Sequence, residues 1–97
     1  MTRAEFEEGV HSILNRMTEY IPVQEINHAA SIICKDYIKE DGTADEDVIQ
    51  KMHEYLDKPD KEYIPFQTVD IKSIIKNMTI IAMNDIRKLA AEYTAAP

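Results

Sequence analysis

The sequence has no tryptophan, one cysteine, two glycines and four prolines in 97 residues. Each scarcity removes a class of explanation. A lone Cys34 has no partner for an internal disulfide, and Gly9 and Gly42 are too far apart to build a glycine-rich phosphate loop. Apolar runs are only a few residues long, well short of the ~20 needed to cross a bilayer, so no membrane span is expected. The opening MTRAEFEEG lacks the apolar run of a secretory signal, and with a free thiol this places the expected chain in a reducing cytoplasm. Apolar residues make up 44% of the chain, enough to fill the core of one domain over residues 1–97 without metal or disulfide staples.

Acid is abundant and unevenly spread. The net charge is −7. Residues 1–67 carry 15 acidic and 7 basic side chains, a balance of −8, whereas residues 68–97 carry 3 acidic and 4 basic, a balance of +1. Such a surface repels phosphates and argues against direct nucleic-acid binding, while it suits a basic protein partner.

The longest uninterrupted helical pattern is 68–93, which contains neither glycine nor proline. At 100° per residue Ile71, Ile74, Ile75, Met78, Ala82, Ile86, Leu89 and Tyr93 share one stripe, predicted to face the core. On the opposite side Val69, Ile80 and Met83 stand among Lys72, Lys76 and Arg87, so the polar face is interrupted by large apolar groups. A helix patterned in this way is expected to touch something on both sides.

Three further helices precede it. Thr2-Arg3-Ala4-Glu5 has the form of a capping box and opens a helix over about 3–19, with Phe6, Val10, Ile13, Leu14 and Met17 on its apolar face. Pro22 starts a second helix over about 22–40, whose stripe is Val23, Ile26, Ala30, Ile33 and Tyr37 and whose expected C-cap is Gly42. Thr43-Ala44-Asp45-Glu46 reads as another capping box, starting a third helix over about 44–57 with Val48, Ile49, Met52, Tyr55 and Leu56 inward. Acidic residues in its first turn complement the helix dipole. Glu19-Tyr20-Ile21-Pro22-Val23-Gln24 recurs as Glu62-Tyr63-Ile64-Pro65-Phe66-Gln67, which suggests two related hairpins whose Tyr-Ile corners plug the bundle. The expected fold is therefore all-α: a compact four-helix domain, with two pseudo-repeated hairpins around a long C-terminal helix.

Chemistry-bearing motifs are few. Glu8-Gly9-Val10-His11 and Glu25-Ile26-Asn27-His28 both read E-x-x-H, the spacing by which di-metal bundles hold two ions. Helical phase points both pairs away from the predicted core, so no metal or other cofactor is expected and a di-metal protein ranks third among the readings. The tract around Gly42 fails as a calcium loop, because Tyr37 and Val48 fall where Asp and Glu are required. Cys34 lies near the buried stripe of its helix and is read as a small apolar residue rather than a nucleophile. No catalytic residue is expected. A helix-turn-helix reading of the second and third helices fails on the acidity of the would-be recognition helix.

The leading expectation is a non-enzymatic interaction module that self-associates as a homo-oligomer or binds a protein partner through Val69, Lys72, Lys76, Ile80, Met83 and Arg87. The rival is an acidic nucleic-acid mimic, an accessory inhibitor presenting Asp45, Glu46, Asp47, Glu54 and Asp57 to a DNA- or RNA-binding protein.

Overall fold

The first helix begins as its capping box requires. Thr2 Oγ1 accepts from the Glu5 amide at 3.1 Å, and the Thr2 amide donates to Glu5 Oε1 at 2.8 Å. In the computed structural model, which describes residues 1–57 and 71–95, the elements are α1 (Arg3–Asn15), α2 (Val23–Asp36), α3 (Glu46–Leu56) and α4 (Ile71–Ala95). The described residues form a compact all-α fold.

The helices form a ring in which α1 packs on α2 and α4, and α3 on α2 and α4. Phe6, Val10, Leu14 and Met17 from α1 and its following turn meet Ile26, Ala30 and Ile33 of α2, Ile49 and Leu56 of α3, and Ile75, Met83 and Ile86 of α4 in one core. The Phe6 and Tyr93 rings stack with centroids 5.1 Å apart, and a Cβ added to Gly9 would come within 2.5 Å of Leu89 Cδ2. Gly9 thus admits the tip of Leu89 against the α1 backbone.

Element boundaries differ from the sequence expectation at three places. Helix α1 ends at Asn15 and residues 16–20 turn, bringing Ile21 fully into the core and Tyr20 against it. The expected corner therefore forms at Ile21-Pro22, with Pro22 as N-cap and Val23 left 51% exposed at the helix end instead of joining the buried stripe. Helix α2 stops at Asp36, because the next segment bonds to itself. The Asp45 amide donates to Tyr37 O at 2.7 Å and the Lys39 amide to Thr43 O at 2.8 Å, closing a bridge between Ile38 and Ala44. Gly42, at φ +87°, serves this turn and not a helix C-cap; that conformation favours glycine. Thr43 is likewise drawn away from capping. Its amide and hydroxyl both bond Asp41 Oδ1, at 2.9 and 2.6 Å, and Asp45 caps α3 by accepting from the Asp47 amide at 3.1 Å. The second copy of the proposed hairpin repeat, Glu62–Gln67, lies outside the described residues.

Candidate functional site

Helix α4 determines where a site can lie, because it is much longer than the helices beside it. At 1.5 Å per residue its 25 residues span about 37 Å, against about 20 Å for the 13 residues of α1. The two run antiparallel: Phe6 meets Tyr93, Gly9 meets Leu89, Arg16 meets Asp85, and the Met17 sulfur lies 3.6 Å from Thr79 Oγ1. In this register α1 has already ended, at Asn15, when Met17 of the following turn reaches Thr79 of α4. The N-terminal turns of α4 run on past it.

The buried sector of α4 consists of Ile75, Thr79, Ala82, Met83, Ile86 and Ala90. This sector is rotated by roughly 60° from the stripe expected from sequence, at 100° per residue. Two consequences follow. Met83, expected as an exposed anchor, is fully buried and unavailable to a partner. Ile81, on the far side, is 57% exposed, and Ile74 and Met78, expected in the core, are only half-buried. Thr79 enters the core in their place because its hydroxyl is satisfied within the helix, donating to Ile75 O at 2.7 Å.

The other expected anchors divide by position. Lys72 and Lys76 are exposed and Ile80 is 39% exposed. Arg87 is occupied: its Nε donates to Glu46 Oε1 at 2.8 Å and its Nη1 to Asn84 Oδ1 at 2.8 Å. Of the three basic residues on this side of α4, Arg87 meets acid within the chain, at Glu46 at the start of α3. Val69 lies outside the described residues.

What remains open among the described residues is the outer face of the N-terminal half of α4. Ile74, Met78 and Ile81 recur at i, i+4 and i+7, and beside them a notch of about 170 Å³ is lined by Arg16, Met17, Met78, Ile81 and Ala82. Arg16 Nη1 donates to Asp85 Oδ2 at 2.6 Å and closes one end of this apolar strip. Ile80 sits on the adjoining side with Lys76 and Lys72. Between Ile71 and Asn84 the helix carries two lysines and no carboxylate. The sequence signal for Ile81 was the i, i+4, i+7 recurrence itself, obscured because Ile74 and Met78 also fit the core stripe.

The acidic residues of α3 have local duties. Asp45 is the N-cap and Glu46 the partner of Arg87, while Asp47 and Glu54 are exposed and Asp57 follows the last turn as C-cap. The two E-x-x-H pairs are not brought together into a cluster. Glu8 and His11 lie exposed on α1, whereas His28 packs against Tyr55 of α3 with ring centroids 5.0 Å apart. The Tyr55 hydroxyl bonds Glu25, and this bond, more than burial, pushes the phenol up to about 12. That pair therefore fastens α2 to α3. Among the described residues no three or more His, Cys, Asp or Glu are grouped to hold a metal ion.

Cys34 is buried, with its thiol 3.9 Å from Glu7 O. Burial, followed by the Glu7 charge, raises its pKa to about 11, which suppresses the thiolate a nucleophile would need. Among the described residues no helix is long and apolar enough to cross a membrane. Compared with protein-family models, curated proteins and solved structures, the chain matches none of them.

Proposed function

We propose that the protein is a non-enzymatic interaction module that associates with a second copy of itself through the N-terminal half of α4. The observation that carries this reading is the apolar strip of exposed Ile80 and Ile81 and half-buried Ile74 and Met78, beside Lys72 and Lys76 on a helix that outruns α1. Exposed isoleucines standing together on one helix cost hydration free energy unless something covers them. Charge favours a second copy as that cover: a carboxylate-free stretch of α4 would face a body whose first 67 residues balance to −8. The Arg87–Glu46 pair provides the same basic-on-acidic contact within one chain. The acidic-mimic reading has less support, since Asp45 and Glu46 are already engaged.

The test is absolute molar mass by light scattering over a concentration series at low and high salt, for the natural sequence and for I80S/I81S. The expected result is concentration-dependent association that weakens in the double variant while its helicity persists. A strict monomer at all concentrations would overturn self-association.

A further inference from the structure

A second surface stands out because its charge runs against that of the body around it. Residues 1–57 contain five cationic side chains, Arg3, Arg16, Lys35, Lys39 and Lys51, against thirteen carboxylates. Three of the five, Arg3, Lys35 and Lys39, line a single groove of about 610 Å³ between the start of α1, the end of α2 and the last turns of α4. Among the described residues Glu40 is the only carboxylate that lines it, and Thr94 contributes a hydroxyl. We propose that this groove binds a compact multivalent oxyanion, of the phosphate or polycarboxylate class.

The local geometry holds the Arg3 guanidinium and the backbone that carries Lys39. Arg3 is anchored by its Nε on Glu7 Oε2 at 3.2 Å and by its Nη2 on Cys34 O, which leaves Nη1 without a hydrogen bond among the described residues. Lys35 and Lys39 form no ion pair among the described residues. The position of Lys35 in the last turn of α2 is explained by the helix dipole, but Lys39 lies beyond the helix and has no such role. Its backbone is fixed by the Lys39–Thr43 bond at 2.8 Å and by the Gly42 amide donating to Lys39 O at 2.9 Å. A multivalent anion seated in the groove would draw on both ammonium groups and on Arg3 together, as charge-assisted donors.

The experiment is a titration of the whole chain, followed through its backbone amide resonances, with inorganic phosphate in one arm and citrate in the other. Sodium chloride holds ionic strength constant. Saturable shifts confined to the 39–43 turn, Arg3 and Thr94 are expected, with affinity weakened about tenfold or more in K35E/K39E and unchanged in K51E. Saturation by phosphate alone assigns the phosphate class, and saturation by citrate assigns the carboxylate class. Lys35, Lys39 and Lys51 are all exposed, and retained amide dispersion confirms the fold of each variant. Shifts that never saturate, or that K51E reduces as much as K35E/K39E does, would overturn the proposal.

Discussion

The two halves of α4 are built from similar residues and meet different fates. Toward the C-terminus, Met83, Ile86 and Ala90 are buried, Leu89 packs against Gly9 of α1, and Arg87 is tied to Glu46 of α3. Toward the N-terminus, Ile80 and Ile81 are exposed and Lys72 and Lys76 point to solvent without ion-pair partners among the described residues. The difference is one of helix face: Ile75 and Thr79 of the same N-terminal half are buried, whereas Ile80 and Ile81 stand on sides turned away from that sector, where the C-terminal half carries Asn84 and Lys88. An apolar side chain on a long helix is core only where another element reaches it.

The largest effect should separate Met83 from Ile81. Met83→Ala removes a fully buried side chain and should cost about 2–5 kcal/mol in denaturant-induced unfolding, whereas Ile81→Ser should stay within about 1 kcal/mol under dilute conditions. Equal losses at the two sites would erase the distinction between the halves.

A smaller effect is expected at the join between α3 and α4. The Glu46–Arg87 pair is partly exposed, so a double-mutant cycle with E46A and R87A should give a coupling of about 1 kcal/mol or less, declining as salt is added. Coupling that ignores salt would mean that packing, and not charge, joins these helices.

The smallest effects concern pH. Glu5 has a lowered pKa, chiefly because it accepts from the Thr2 backbone, and Asp41 has one because it accepts from Thr43. Both groups hold the proton less tightly in the fold than in the open chain. Their contributions are therefore present above the ordinary carboxylate range and are lost as pH falls through the lowered folded values. Cys34 works in the other direction. Its folded pKa of about 11 exceeds the ordinary thiol value, so its contribution is complete at neutral pH and is lost as pH rises from the ordinary value toward 11. Unfolding free energies measured across pH should decline at both ends, with E5Q and D41N flattening the acid limb.

Much of this architecture was legible in the residues. The Thr2–Glu5 box, the Phe6 to Met17 face, the α3 face of Ile49, Met52 and Leu56, and the buried Ile21 corner follow from spacing and capping chemistry. The boundaries at Tyr37–Asp45 were not legible, because Thr43 had a choice of partners and only the folded turn shows that Asp41 takes it. The candidate site was half legible. Lys72, Lys76 and Ile80 lie on the open face as spacing implied, but Met83 does not. Its placement depends on how far α4 is rotated against α1, and that rotation admits Thr79 to the core, which hydropathy alone disfavours.

The central claim is that residues 72–81 form a face that a second copy covers. Hydrogen exchange along α4, measured at two widely separated protein concentrations, tests it most directly. The account predicts that amides of 72–81 exchange faster than those of 83–90 in dilute protein and slow markedly at high concentration, while 83–90 stays unchanged. Equal protection of both halves, independent of concentration, would contradict it.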